Sequence, residues 1–236
     1  TQRFSGLMKF SERIEKIGSE CDACDLFADI GCDHGYSTAY MLEKGLCRRA
    51  QISDISAKSL SKAEKLLKKY VDEGRVSSVC AAGMEKTDPS ADFVLIAGMG
   101  GEEIVHILQA GFLPPKLLLQ PMKNADKVRA FLLAAGYSVL RDYTFLCGGK
   151  FYDLIKAEKG IPSDYTQRML AYGRDNLEAP TGDFVKKLER DIADCERWLA
   201  SARTRGREAL SARLADLKEV YGEVTADLCG DRRRLS

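Results

Sequence analysis

Two hydrophobic periods alternate along the first 136 residues of the chain. Short apolar runs of the kind found in buried strands predict strands at 25–31, 50–54, 75–80, 92–97 and 116–120. Segments with apolar residues three and four apart predict helices at 36–44, 57–73, 102–109 and 126–135. Gly45, Gly74 and Gly136 follow three of these helices, where glycine commonly ends a helix. Strands that alternate with helices predict an α/β fold with a doubly wound, mostly parallel sheet.

The pattern differs before and after this region. Apolar residues from Phe4 to Ile17 recur at helical intervals, which predicts an amphipathic lead-in helix that Gly18 can end. Two strand-like runs at 137–147 and 150–158 are joined only by Gly148-Gly149. So short a connection allows only antiparallel pairing, so we expect an antiparallel hairpin to close the sheet.

Beyond residue 160 the strand signals stop and helical periodicity takes over. A short helical piece is predicted around 165–176, and two long amphipathic helices follow. Their apolar stripes are Phe184, Leu188, Ile192, Cys195 and Leu199, then Leu210, Leu214, Leu217, Tyr221, Val224 and Leu228. Because each stripe needs a partner, we predict a C-terminal coiled-coil hairpin turning at 201–207. The expected domains are therefore 1–160 and 161–236.

Composition narrows the possible partners. The 36 Lys and Arg against 35 Asp and Glu give a net charge of +1, which excludes nucleic-acid binding by bulk positive charge. A hydrophobic fraction of 45% is ordinary for a folded globular chain, and no apolar run approaches the roughly 20 residues that span a bilayer. We expect a cytoplasmic monomer that does not bind membranes.

Eight cysteines are present, and without a secretory signal they are expected to be thiols. Cys21 and Cys24 have a redox or zinc spacing, but no second pair accompanies them. Because a closed zinc site needs four ligands, loop cysteines are the favoured interpretation and no metal is expected.

Polar and glycine residues follow the first predicted strand in the segment Asp29-Ile-Gly31-Cys-Asp33-His34-Gly35. The carboxyl ends of parallel strands are where doubly wound sheets bind ligands. Glycines let backbone approach a ligand, and the two aspartates can accept hydrogen bonds from an ammonium or a hydroxyl. The segment lacks the GxGxxG spacing that cradles a pyrophosphate, so dinucleotide binding is disfavoured. The alternative is a strand-to-helix turn that merely tolerates glycine.

Two further strand ends carry candidate ligand contacts. Asp54 ends the second strand, where an acid can accept hydrogen bonds from both ribose hydroxyls, and Ile55 could pack on an adenine face. Alternatively, Asp54 is only a favourable charge at a helix N-terminus. Ala97, Gly98 and Met99 end the fourth strand in a glycine-rich segment suited to close approach by a ring or a reactive methyl, or else to an ordinary helix entry. Gln120 holds the corresponding place after the fifth strand.

At these residues the chain resembles a known family, the bacterial tRNA adenine-N1 methyltransferases that act on adenine 22. The matching segments are FSERI near the start, ADIGCDHGY at 28–36, AGMGG at 97–101, LLLQP at 117–121 and GGKFYDLIKAE at 148–158. The family's coiled-coil appendage also resembles the predicted C-terminal hairpin. A closing antiparallel hairpin is typical of Rossmann-like class I methyltransferases rather than of dinucleotide dehydrogenases.

The resemblance implies S-adenosylmethionine (SAM) as cofactor and tRNA as partner. On this basis Asp29, Gly31, Gly35, Asp54 and Ile55 would bind the cofactor together with Ala97, Gly98 and Met99. The family often carries an acid after the third strand, where this chain has Ala81-Ala82-Gly83, so the backbone near Gly83 and Met84 is expected to hold the cofactor adenine instead. The family also has Asn where this chain has Met122.

The expected reaction needs placement more than a strong base, because adenine N1 carries a lone pair and loses no proton on attack. The product is cationic, so Asp33 is the candidate for stabilising charge or accepting the N6 proton, with His34 as a positioning group. His106 is interpreted as helix surface or core. For the RNA, the candidate contacts are Lys9, Arg13, Gln120, Lys123, Arg129, Arg203, Arg205 and Arg207. A small-molecule methyltransferase and a non-catalytic SAM-binding or helical module remain the alternatives.

Overall fold

A computed structural model describes residues 8–201 and 206–234 and contains one seven-stranded sheet. The strands are β1 (Cys24–Ile30), β2 (Cys47–Asp54), β3 (Val76–Cys80), β4 (Phe93–Met99), β5 (Lys116–Pro121), β6 (Tyr137–Cys147) and β7 (Lys150–Lys159). Their order across the sheet is β3-β2-β1-β4-β5-β7-β6. Strands β1 to β5 pair in parallel, and β7 is antiparallel to β5. The predicted mostly parallel sheet with an antiparallel ending is confirmed.

Helices connect the consecutive parallel strands, except β3 and β4, which a loop connects, as the sequence pattern predicts. Those of the first part of the chain are α1 (Glu12–Ser19), α2 (Tyr36–Glu43), α3 (Ala57–Leu66), α4 (Lys68–Asp72), α5 (Gly101–Ala110) and α6 (Ala125–Ala134). Those of the last part are α7 (Gln167–Tyr172), α8 (Arg174–Glu178), α9 (Gly182–Ser201) and α10 (Arg207–Arg234). None of the described helices is long and apolar enough to cross a bilayer.

The central strands are buried on both faces, which explains their continuous apolar sequences. Phe27 of β1 and Phe93 of β4 are fully buried neighbours in the sheet, with ring centroids 6.0 Å apart. The strand order changes direction between β1 and β4. On one side of β1 lie β2 and β3, and on its other side lie β4 and β5. Such a switch point opens a crevice beyond the carboxyl ends of the strands.

Two predicted helix boundaries are wrong. α1 begins at Glu12 rather than at Phe4: residues 8–11 are not helical, and residues 1–7 lie outside the described part. The Ser11 side chain caps this helix by accepting a hydrogen bond from the Ile14 N–H at 3.4 Å. The single helix predicted at 57–73 is two helices, α3 and α4, which meet at the buried Leu67.

The chain divides into two compact units. The first runs as far as Arg141 and also contains Asp153–Asp164; the second contains Asp142–Tyr152 and the chain from Tyr165 onward. This division groups the tip of the β6–β7 hairpin with the C-terminal helices. The domain limits at 1–160 and 161–236 stay a prediction.

Within the second unit, α9 and α10 pack against each other as an antiparallel pair. Cys195 contacts Leu210 through a hydrogen bond from its Sγ to the Leu210 carbonyl oxygen (3.4 Å), whereas Tyr221 donates to Glu189 at 3.1 Å, so the residue numbers run in opposite directions. The fully buried side chains of this core are Phe184, Leu188, Cys195, Leu217, Val220 and Val224. Regular coiled-coil geometry stays a prediction.

Side chains of the second unit also cap the backbone of β6, which is an edge strand of the sheet. Three alternate N–H groups of β6 donate to side-chain oxygens: Asp142 to Asp175 Oδ2 (3.0 Å), Thr144 to Asn176 Oδ1 (2.9 Å) and Leu146 to Asp183 Oδ2 (3.0 Å). Unpaired N–H groups at a sheet edge are a template for unwanted strand pairing. These caps therefore close that edge.

Candidate functional site

A cavity of about 740 Å³ lies in the first unit, where β1, β2 and β4 end. Its volume is within the roughly 300–1,000 Å³ typical of small-molecule sites. Most of the residues predicted to serve the cofactor or the chemistry line it: Asp29, Gly31, Asp33, His34, Asp54, Ile55, Gly83, Met84, Ala97, Gly98 and Met99. Segments far apart in the sequence thus meet at the crevice expected for this topology.

Gly35 is the one predicted cofactor residue that is not part of this lining. It precedes α2 in the left-handed region, with φ of 76°. A Cβ at this position would lie 3.0 Å from the Cβ of Ala63 and 3.2 Å from Leu67 Cδ1. Its backbone conformation and its close approach to α3 account for the glycine without a ligand.

Asp29 is the buried acid of the cavity, at the end of β1. Its Oδ2 accepts a hydrogen bond from the Thr38 hydroxyl at 2.8 Å. Burial raises the pKa of Asp29 to about 6, although the Thr38 hydrogen bond and the charge of Arg13 act in the lowering direction. A cationic group beside this carboxylate would favour its charged form.

Gly31 follows in a left-handed conformation, with φ of 71°. The methyl group of Met99 occupies the space that a Cβ on Gly31 would need. The backbone conformation makes any side chain at residue 31 strained, and the Met99 methyl, at the end of a flexible side chain, would also have to move aside. The end of β4 and the turn after β1 are in this way packed directly against each other.

Asp54, at the end of β2, organises the neighbouring backbone. Its Oδ2 accepts from the Asp33 N–H at 3.0 Å, and its Oδ1 accepts from the Ser56 N–H at 2.8 Å. A carboxylate has about four acceptor sites, so two backbone bonds still allow it to accept hydrogen bonds from a ligand's hydroxyl groups. The adjacent Ile55 lines the cavity with 76% of its surface exposed, as an apolar platform.

The loop after β3 closes the same end of the cavity. Gly83 has φ of 60°, and a Cβ there would approach Ile107 of α5 to 2.9 Å. The Ser53 hydroxyl donates to the Gly83 carbonyl oxygen at 3.2 Å, which ties the loop to β2. Ala81, Ala82 and the loop backbone stand where an acid was considered, and Glu85 of the same loop also lines the cavity.

Asp33 and His34, the predicted catalytic pair, lie at the solvent side of the cavity. Asp33 has φ of 48°, a left-handed conformation that aspartate tolerates better than most residues. Its side chain is 74% exposed, and its Oδ1 lies 3.5 Å from His34 Nε2. The same ring nitrogen is 3.1 Å from Lys62 Nζ. The two side chains can reach a substrate that enters from solvent.

Two of the predicted RNA contacts lie elsewhere than the sequence suggests. Arg13 lines the cavity, where its Nε and Nη2 donate to Gln120 Oε1 at 3.1 and 2.5 Å. Gln120 is fully buried. A buried amide cannot touch RNA directly, so the prediction that Gln120 contacts the substrate is corrected: it binds Arg13 instead.

The prediction that Arg129 contacts RNA is also corrected. It is 1% exposed, on the buried face of α6 with Val128 and Leu132, and its Nη2 lies 3.8 Å from Asp153 Oδ1. A guanidinium packed inside the protein cannot reach a phosphate. Of the remaining candidates, Lys9, Lys123 and Arg207 are exposed, and Arg203 and Arg205 lie outside the described residues.

The lining also contains residues that were not predicted as site residues from the sequence, among them Tyr36, Glu85, Glu103 and His106. Glu103 and His106 project from α5 into the cavity, and Tyr36 lines it from the start of α2. Glu103 and His106 could have been predicted from their position in the chain, because α5 starts directly after the glycine-rich end of β4. Its first turns must then border the crevice. The interpretation of His106 as helix surface or core missed this.

The close cysteine pair lies apart from this cavity lining. Burial raises the pKa of the Cys24 thiol to about 12, the opposite of what a thiolate ligand or nucleophile requires. Over residues 8–201 and 206–234, no three histidine, cysteine or acidic side chains are grouped as metal ligands would be.

Comparison with known proteins agrees with this geometry. A family model described as "Methyltransferase domain" matches residues 10–155. The tRNA (adenine(22)-N(1))-methyltransferase of Bacillus subtilis strain 168 is 28% identical over 198 residues, which cover 81% of this chain and 80% of that protein.

Solved structures show the same fold. The crystal structure of the B. subtilis m1A22 tRNA methyltransferase TrmK superposes with a TM-score of 0.79 at 25% identity, covering 92% of this chain and 98% of that one. The structure of M. capricolum TrmK in complex with S-adenosyl-homocysteine gives a TM-score of 0.84 at 20% identity, covering 92% of this chain and all of that one, 100%. The likeness extends well beyond the residues that line the cavity.

Proposed function

The chain belongs to the methyltransferase domain family, and from that premise we propose that it transfers a methyl group from SAM to N1 of an adenine in tRNA. The observation that carries the proposal is the cavity at the switch point of the sheet, with a buried acid at the end of β1 and a second acid at the end of β2. The B. subtilis relative, whose name specifies adenine 22 and N1, supports the same substrate and atom.

The residues of the cavity suit SAM in three respects. Asp29 offers a buried carboxylate to an ammonium group, and burial raises its pKa to about 6. Asp54 offers acceptor sites for ribose hydroxyls. Ile55 and the loop at Gly83 and Met84 offer apolar and backbone surface for a flat base. When bound, SAM would supply an electrophilic methyl on its sulfonium sulfur.

The protein's contribution to the reaction is mainly placement. The glycines at 31 and 98, with φ of 71° and 83°, keep side chains out of the space beside the ends of β1 and β4. A neutral adenine N1 attacks through its lone pair and needs no base, so holding the ring in line with the methyl provides much of the rate enhancement.

Asp33 and His34 act where charge develops. Methylation at N1 leaves a cationic adenine, and the exposed Asp33 carboxylate can stabilise that charge or accept the N6 proton. His34, between Asp33 and Lys62, holds the position of the carboxylate. The substrate is a folded tRNA in the cytoplasm, and because the net charge is only +1, it binds through local cationic positions such as Lys9 and Lys123.

The proposal is tested by incubating the protein with tritium-labelled SAM and unmodified tRNA and measuring label in acid-precipitated RNA. We expect label in the RNA with the wild type and at least about tenfold slower transfer with Asp33→Asn, a loss typical of removing a group that acts on developing charge. Asparagine is chosen because it tolerates the left-handed conformation at residue 33. Asp72→Asn, on the exposed surface of α4, is the matched control and should keep full activity.

Two results would contradict the assignment. Absence of label in tRNA, with SAM binding intact, would favour a small-molecule methyltransferase or a binding module. Full activity of Asp33→Asn would remove the Asp33 carboxylate from the reaction.

A further inference from the structure

We infer that Arg13 binds the α-carboxylate of the cofactor's amino-acid group and that the buried Gln120 is the positioning residue that aims it. The inference rests on the proposed function, since it concerns the SAM site. It assigns both residues to the cofactor rather than to RNA.

The position of Arg13 supports this role. Its Nη2 is 3.5 Å from the point where a Cβ of Gly98 would lie, so the guanidinium covers the end of β4 inside the cavity. β4 is the parallel neighbour of β1, in which Asp29 is the second-last residue, and adjacent strands are about 4.8 Å apart. Arg13 also lowers the pKa of Asp29, which requires the two charges to be near each other.

An α-amino acid is a zwitterion whose ammonium and carboxylate are attached to the same carbon atom. Its recognition needs one acid and one base close together. At this end of the cavity the acid is Asp29 and the base is Arg13. The strand order β2-β1-β4 puts Asp54, the candidate for the ribose, on the other side of Asp29. Along the sheet edge, Asp54 would accept hydrogen bonds from the ribose, Asp29 would accept them from the ammonium, and Arg13 would donate them to the carboxylate.

Gln120 fixes the direction of the guanidinium. Its Oε1 accepts from both Nε and Nη2 of Arg13, while its Nε2 donates to the Pro121 carbonyl oxygen at 3.4 Å. The amide is thus held with its oxygen toward Arg13. A guanidinium has five N–H donors, so it can bind Gln120 and a carboxylate at the same time. Binding to RNA phosphate is less compatible with this anchoring inside the cavity.

The test compares two ligands that differ only in the carboxylate. Isothermal titration calorimetry without tRNA gives the Kd of S-adenosyl-homocysteine and of its decarboxylated analogue. For Arg13→Met we expect the Kd of S-adenosyl-homocysteine to rise about tenfold or more, the loss typical of a charge-assisted hydrogen bond, with less than a twofold change for the analogue. Lys44→Met removes an equal charge from the exposed end of α2 and should change neither value.

Gln120→Leu should show the same selective loss, and the double variant should lose little more than Arg13→Met alone, because the two residues act through one contact. Equal losses for both ligands, or none, would overturn the inference. A variant that changes only the KM for tRNA would show that Arg13 binds RNA. If the wild type binds neither ligand, the proposed function itself is wrong. Should Gln120→Leu not fold, Arg13→Met and its control still decide.

Discussion

Asp29 is a carboxylate that is buried, and burial disfavours its charged form. Desolvation raises its pKa to about 6, while the Thr38 hydrogen bond offsets part of that cost. An ammonium group beside it would favour the charged form and lower the pKa again. Cofactor binding and proton binding at Asp29 are therefore opposed.

We predict that the affinity for S-adenosyl-homocysteine falls as the pH is lowered from 7 to 5. Below a pKa of about 6 the free protein holds a proton on Asp29, which must leave before the ammonium binds, at a cost approaching tenfold per pH unit. Calorimetry across this range measures the slope. Asp29→Asn should bind more weakly at pH 7 and lose the slope, and a wild type with flat affinity would contradict the assignment.

The same pKa predicts a stability change of defined sign. Between about pH 4 and pH 6 the fold binds a proton at Asp29 more readily than the unfolded chain does, so the free energy of unfolding decreases as the pH rises through this window. The contribution from this group reaches about 3 kcal/mol. Urea unfolding without ligand gives the free energy of unfolding of the wild type and of Asp29→Asn at each pH. The wild-type value minus the variant value should decrease as the pH rises through this window. A difference that does not change with pH would contradict the prediction.

For Asp54 we predict that substitution by alanine weakens cofactor binding by about 1–3 kcal/mol, the cost of leaving hydrogen-bonded groups unpaired. The variant loses the ribose acceptors and also frees the Asp33 and Ser56 N–H groups. The Kd for S-adenosyl-homocysteine is the measurement, with the exposed acid Asp72→Ala as control. An unchanged Kd would rule out the ribose role.

Sequence reasoning succeeded for residues whose role follows from their place in a strand. Asp29 and Asp54 end buried strands, so their meeting in the cavity was predictable. It failed for Arg129 and Gln120, which are both buried. Burial of Arg129 depends on which face of α6 packs against the protein, and burial of Gln120 depends on which segments cover the end of β5. A charged helix residue was assumed to face solvent, and packing overrode that assumption.

At the scale of elements, the sheet edge at β6 depends on the second unit. The three β6 N–H groups that donate to Asp175, Asn176 and Asp183 find acceptors more than 30 residues away in sequence. Hydrophobic periodicity predicted the strand and the helices separately, but such long-range polar contacts leave no local pattern. A chain cut near residue 160 would lose these caps, so the role of the second unit is best tested in the full chain.

We predict that Asn176→Ala lowers the free energy of unfolding by about 1–3 kcal/mol, because it leaves the buried Thr144 N–H and hydroxyl without that partner. Asn176 is fully buried, and it also donates to the Tyr172 carbonyl oxygen at 2.7 Å. Chemical denaturation followed by circular dichroism gives the value. Glu178→Ala on the exposed face of the same helix should change it by less than about 1 kcal/mol. Equal stabilities of Asn176→Ala and wild type would show that the cap is dispensable.

At the scale of the whole molecule, one unit contains the candidate SAM cavity and the other a separate helical core. A net charge of +1 requires tRNA binding to be local. The prediction that the helical hairpin docks tRNA rests on Arg207, which is exposed, and on Arg203 and Arg205, which lie outside the described residues.

We predict that reversing these three arginines to glutamate weakens tRNA binding and lowers its salt dependence, while the Kd for S-adenosyl-homocysteine stays the same. Filter binding across a salt series gives both the affinity and its slope. Normal tRNA binding at every salt concentration would show that the hairpin tip does not contact RNA. A loss of cofactor affinity would show that the tip serves the cofactor site instead.

The central claim is methylation of adenine N1 in tRNA, and the most direct measurement identifies the modified nucleoside. Unmodified tRNA is incubated with SAM and the wild-type protein, digested to nucleosides and analysed by mass spectrometry against a 1-methyladenosine standard. We predict that 1-methyladenosine is formed, and that it is lost when adenine 22 of the tRNA is replaced by guanine. A different methylated nucleoside, or 1-methyladenosine that persists after that replacement, would contradict it.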